Sequence, residues 1–105
     1  MAGRWVDLGV AEEVTDAHAL SVEIDDVALI IARCGAELYA VENRCTHDGE
    51  SLAGAEIDAC EIICPRHGAR FCLKSGAALT PPAYEPLRTF EVREEAGRIL
   101  LQRSL

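Results

Sequence analysis

The sequence predicts an all-β chain built of short antiparallel strands. Three observations carry that expectation. No long segment holds the 3.6-residue apolar period of an amphipathic helix. Short runs of alternating or continuously β-branched residues recur instead. Turn-forming groups, Asp25-Asp26, Cys34-Gly35 and Glu95-Ala96-Gly97, punctuate them as hairpin turns would.

Residues 5–10 read as the first strand, with Trp5 as a core anchor. Residues 12–19 suit a helical turn. In residues 19–24, Val22 and Ile24 share one face while Ser21 and Glu23 share the other. After the Asp25-Asp26 turn, residues 27–33 read as a central strand, because residues 27–32 are apolar without a break. Cys34-Gly35 turns the chain, and residues 37–42 return as the hairpin partner. Residues 61–63 and 70–73 are short strands on either side of another loop. Residues 89–93 and 98–102 flank Glu95-Ala96-Gly97 as a further hairpin. Between residues 43 and 80 the strands shorten and the loops carry the unusual residues.

A chain of 105 residues makes one domain with a modest core. Half of its residues are hydrophobic and 27% are charged, as in globular proteins. The start, Met1-Ala2-Gly3-Arg4-Trp5, has no apolar stretch of the kind that marks an export signal. The longest apolar run is six residues, against about twenty for a membrane helix. A cytoplasmic protein is expected, with no membrane partner. Ten basic and 18 acidic residues give a net charge of −8, which argues against nucleic acid as a ligand. The same charge suits encounter with an electropositive protein face. The size and charge fit a monomer.

Four residues carry the chemistry. Cys45-Thr46-His47 and Cys64-Pro65-Arg66-His67 each offer one thiolate and one imidazole, and sixteen residues separate His47 from Cys64. Two thiolates and two imidazoles make a metal centre. In a 2Fe–2S centre of mixed ligation, one iron takes two Cys and the other two His. A structural zinc site uses the same donors, although zinc fingers pair Cys with Cys and His with His along the chain. A disulfide framework is disfavoured by the odd count of five cysteines.

Cys45-Thr46-His47-Asp48-Gly49 and Cys64-Pro65-Arg66-His67-Gly68-Ala69 resemble the two cluster loops of Rieske-type ferredoxins, the small electron carriers of aromatic-ring dioxygenase systems. Residues 79–87, Leu-Thr-Pro-Pro-Ala-Tyr-Glu-Pro-Leu, resemble that family's proline-containing loop over the cluster. The resemblance implies a Rieske fold: an antiparallel β-sandwich base, residues 1–42 and 80–105, with an inserted cluster-binding subdomain at about 43–79. It implies a [2Fe-2S] cluster on Cys45, His47, Cys64 and His67. It implies a protein that is not itself an enzyme, passing single electrons from an NAD(P)H-dependent flavin reductase to a terminal non-haem iron oxygenase. An alternative is a small Rieske-type subunit of another redox complex, such as NAD(P)H nitrite reductase.

The inventory agrees. A mononuclear iron oxygenase site needs two histidines and a carboxylate. Of the three histidines here the cluster would use two, and no Gly-x-Gly-x-x-Gly fingerprint is present. Gly49 and Gly68 follow the ligand pairs where backbone must approach an inorganic core. High-potential Rieske proteins carry an extra loop disulfide at the positions of Glu50 and Arg66, and a hydrogen-bonding serine at that of Ala69. Their absence predicts a potential toward the low end of the Rieske range of about −150 to +300 mV. Asp48 and Glu50, beside His47, are candidate docking acids. Pro81 and Pro82 suit a stiff flap over the cluster. His18 reads as a surface residue, Cys34 as a turn residue, and Cys60 and Cys72 as small apolar fillers.

Overall fold

The computed structural model describes residues 5–15, 18–45, 51–52, 54–65, 68–81 and 83–102. Among these residues ten strands follow one another: β1 (Trp5–Val10), β2 (Leu20–Ile24), β3 (Val27–Cys34), β4 (Glu37–Glu42), β5 (Glu56–Asp58), β6 (Glu61–Ile63), β7 (Arg70–Cys72), β8 (Thr89–Phe90), β9 (Val92–Glu95) and β10 (Arg98–Gln102). They form three antiparallel sheets, ordered β1-β10-β9, β2-β3-β4-β8 and β5-β6-β7. The predicted all-β fold class stands.

The central sheet is covered on both faces, and β3 shows why. Successive side chains of a strand point to opposite faces. Leu29 and Ile31 enter one buried cluster with Ile99 and Leu101 of β10. Ile30 and Ala32 enter a second cluster with Ile62 of β6 and Phe71 of β7. The next strand repeats the division, sending Leu38 and Ala40 to the first cluster and Val41 to the second. A strand buried on both faces needs an unbroken apolar run, and residues 27–32 supply it.

Hairpin registers follow the expected turns. Ile24 pairs Val27, Cys34 pairs Glu37, Asp58 pairs Glu61 and Glu95 pairs Arg98. Asp25 and Asp26 adopt φ of +52° and +66°, the left-handed angles that Asp tolerates in a two-residue hairpin turn. Arg33 reaches out of the central sheet to donate to the Val14 carbonyl at 2.6 Å and the Ala11 carbonyl at 2.9 Å. It also meets Glu94 at 3.3 Å, joining β3 to β9.

Three expectations need correction. Residues 89–93 are not one strand. β8 pairs with β4, then the chain changes sheets at Glu91, and β9 pairs with β10. The Glu91 carbonyl accepts from the Gln102 N–H at 2.9 Å across that break. The helical turn is confined to Ala11–Glu13, where Ala11 is buried; Thr15 and His18 then bridge as extended chain. Trp5 is not a core anchor. It is half-buried on the outer face of its sheet, with the Arg93 guanidinium 4.1 Å above its ring. Strand β5 was not anticipated, because Glu56-Ile57-Asp58 is too short for a period to register.

Candidate metal centre

Each candidate cysteine sits where a strand gives way to a loop, and each loop is tied at its base. The first follows β4. The Asn43 N–H donates to the Ala28 carbonyl at 2.8 Å, fixing the chain against β3. The Asn43 side-chain oxygen accepts from the Leu52 N–H at 2.6 Å and from the Ser51 hydroxyl at 3.1 Å. One amide therefore pins both ends of the loop that begins at Cys45. The Cys45 side chain is wholly buried.

The second loop joins β6 to β7. The Cys64 N–H donates to the Ala69 carbonyl at 2.8 Å, and the Gly68 N–H donates to the Cys64 carbonyl at 2.9 Å. Cys64 and Ala69 are buried. On the outer face, Arg70 holds β7 to its neighbours through Glu61 of β6 at 2.6 Å and Asp58 of β5 at 2.9 Å. Phe71 and Ile62, paired across β6 and β7, point the other way into the core.

A third loop, residues 79–87, packs against the second. The Leu79 N–H donates to the Arg70 carbonyl at 2.8 Å, and the Thr80 hydroxyl accepts from the Arg70 N–H at 3.0 Å. The Leu87 N–H donates to the Gly76 carbonyl at 2.8 Å. Gly76 has φ of +78°, and a Cβ there would collide with the Leu87 carbonyl oxygen, so both conformation and space require glycine. Ala83 and Leu87 from this loop are buried in the same cluster as Cys45 and Cys64. Tyr84 is 80% exposed and Leu79 46%; they are the exposed large hydrophobics among the described residues.

The structure thus brings Cys45 and Cys64 from two separate loops into one apolar cluster with Leu52, Ala69 and Ala83. Thr46, His47, Asp48, Gly49, Glu50, Arg66, His67 and Pro82 lie outside the described residues. The two buried thiols fit a soft, thiolate-ligated metal centre. A thiolate in apolar surroundings needs a bound cation to offset its desolvation, and a metal ion supplies one.

Of the remaining cysteines, Cys34 was expected as a turn residue and Cys60 and Cys72 as fillers, and Cys60 departs from that by pairing with Cys34. Cys34, at the end of β3, is joined to Cys60, in the β5–β6 turn, with the Cα atoms 5.3 Å apart. Two half-buried residues at separate turns gave no spacing signal for this pairing. Cys72 is half-buried on the outer face of β7, and a hydrogen bond with the Ser75 hydroxyl holds its thiol below the usual range. His18 is exposed, as expected.

A family model of the Rieske [2Fe-2S] domain matches residues 4–91. The chain is 29% identical to the ferredoxin component of the naphthalene 1,2-dioxygenase system of Pseudomonas aeruginosa, over 99% of this chain and all of that one. It is 37% identical to the 3-phenylpropionate/cinnamic acid dioxygenase ferredoxin subunit of Escherichia coli K12, over 85% of this chain and 84% of that one. A solved complex of reduced oxygenase and oxidized ferredoxin in carbazole 1,9a-dioxygenase contains a chain that superposes with a TM-score of 0.86. That match has 29% identity and covers 93% of this chain and 92% of the other. With two buried cysteines delivered by two tied loops and a domain match running through both, the chain belongs to the Rieske [2Fe-2S] domain family.

Proposed function

We propose that this chain is the ferredoxin component of a multicomponent aromatic-ring dioxygenase system, carrying one electron at a time to a terminal oxygenase. The observation that carries the reading is the convergence of Cys45 and Cys64, both essentially inaccessible to water, in one apolar cluster. The relatives named as dioxygenase ferredoxins cover nearly the same length, and a ferredoxin of the same fold is found in complex with its oxygenase. The chain transfers electrons and leaves the oxygen chemistry to its partner.

Cys45 and Cys64 are proposed to hold one iron, and His47 and His67 the other. A 2Fe–2S cluster held there would supply one-electron chemistry. The chain's residues do the rest. Leu52, Ala69, Ala83 and Leu87 exclude water from the two thiolates. Ala69 offers no side-chain hydrogen bond to a cluster sulfur, which favours a low potential suited to electrons from NAD(P)H. Tyr84 and Leu79 border a surface groove with Thr80 and Pro81, giving an oxygenase apolar area to cover beside the cluster loops.

The finer assignments complete the proposal: an NAD(P)H-dependent flavin reductase as the donor, a monomer in the cytoplasm, and a division into a base of residues 1–42 and 80–105 and a cluster-binding subdomain at about 43–79. Supporting them are the acidic net charge of −8 and a separate small sheet, β5-β6-β7, that leads into and out of the Cys64 loop. Rapid mixing tests the function. Reduced protein mixed anaerobically with a Rieske-type aromatic-ring oxygenase should be reoxidised with one electron transferred per chain. Failure to reduce such oxygenases, alongside rapid reduction of a nitrite reductase, would replace this reading with the alternative.

A further inference from the structure

We propose that Cys34 and Cys60 form a reversible redox site that reacts with small-molecule disulfides of the glutathione class, and that its oxidised form clamps the β3–β4 turn to the β5–β6 turn. The pair joins different sheets across 26 residues of sequence. Its Cα separation of 5.3 Å lies within the range that a disulfide spans without moving the backbone.

The backbone at Cys60 points the same way. Ala59 and Cys60 occupy the β5–β6 turn with φ of +52° and +65°. Such a turn favours Gly, Asn or Asp at both positions, and other residues pay conformational energy there. The second of these positions places the Cys60 sulfur against Cys34 of the neighbouring turn. Both residues are half-buried. They border a surface groove of about 260 Å³ lined also by Gly35, Ile57, Asp58 and Ala59, which gives a small thiol compound access.

The proposal rests on the cytoplasmic reading, because there the thiol pool returns an accessible disulfide to the reduced state. One thiolate of the pair attacks a sulfur of the oxidised small molecule, breaking its S–S bond, forming a mixed disulfide and releasing one thiol. The second thiolate attacks the protein sulfur of that mixed disulfide, forming the Cys34–Cys60 bond and releasing the second thiol. The protein loses two protons and two electrons, and the small-molecule disulfide gains them as two thiols. Strand β6 runs from the clamped turn into Cys64, so the clamp restrains the segment that carries one proposed ligand.

Anaerobically purified, cluster-loaded protein equilibrated across mixtures of oxidised and reduced glutathione tests this. Free thiols are alkylated, peptides are mapped, and the loss of visible absorbance on heating is timed. Cys34 and Cys60 should pass together from two alkylated thiols to one linked pair, and return in excess reduced glutathione. The oxidised form should lose its colour on the order of tenfold more slowly than the reduced form. Cys34→Ser should stop at a glutathione adduct on Cys60, with colour loss independent of the redox buffer. Independent alkylation of the two cysteines, modification of Cys72 alone, or equal rates of colour loss would each overturn the proposal. If Cys34→Ser fails to load the cluster, the wild-type titration still decides. The unheated visible spectrum reports separately on the electron-carrier reading.

Discussion

Cys45 and Cys64 were legible as candidate ligands because residue type and spacing single them out, and the structure buries both in one apolar cluster. Replacing either by Ser should abolish normal cluster assembly, since a buried hydroxyl is a poor substitute for a thiolate. Iron content and visible absorbance check this, and retention of a normal spectrum by either variant would remove that residue from the ligand set. Cys72 behaves differently. The Ser75 hydroxyl holds its thiol low, so the deprotonated form, which reacts with alkylating agents, appears at lower pH than in an ordinary cysteine. Ser75→Ala should shift the pH midpoint of Cys72 alkylation upward, read by peptide mapping. Neither was legible: the Cys72–Ser75 contact depends on the exact conformation of the turn after β7, and the Cys34–Cys60 pairing on how two separate turns meet in space.

Elements explain which strands could be read. β3 announces itself because both of its faces are buried, whereas β5 has three residues and no detectable period. The break between β8 and β9 escaped notice because it reflects a change of sheet, which residues 89–95 do not encode locally. β7 places Phe71 at zero exposure between the central sheet and the Cys64 loop, so Phe71→Ala should cost about 3–5 kcal/mol and release the cluster at lower temperature. In the third loop, Gly76→Ala should destabilise by about 1–2 kcal/mol from its left-handed angle alone, with the clash at Leu87 adding to it. Denaturant unfolding followed by circular dichroism measures both. Pairing of β1 with β10 carries a pH signature. Arg98 contacts Asp7 at 3.1 Å and the Gly9 N–H donates to the same carboxylate at 2.9 Å, holding the Asp7 pKa below its ordinary value of about 3.9. A depressed acid stabilises the fold above its ordinary pKa and loses that contribution as pH falls through the folded value. An NMR titration should place Asp7 below the ordinary aspartate value, and Arg98→Gln should return it toward that value.

Over the whole molecule, charge governs encounter rather than fold. A net charge of −8 predicts that electron transfer to an oxygenase with a basic docking face slows as ionic strength rises. Charge reversal at Asp48 or Glu50 should slow it further at low salt while leaving the visible spectrum unchanged; stopped-flow rates decide, and unchanged rates would assign those acids to solubility. The broad plan, short antiparallel strands around a ligand-bearing middle, was legible from periodicity and from the two Cys-x-His and Cys-x-x-His segments. Which strands cover each side of the central sheet was not, because it depends on how β10 and β7 approach β3. At this scale the chain is an electron carrier whose Rieske-type 2Fe–2S centre would be held by cysteine and histidine. Electron paramagnetic resonance of anaerobically purified, dithionite-reduced protein tests it most directly. Mixed ligation should give a rhombic signal with average g below the free-electron value and coupling to nitrogen, lost in His47 and His67 variants. A signal without nitrogen coupling, or no signal from colourless, zinc-containing protein, would contradict it.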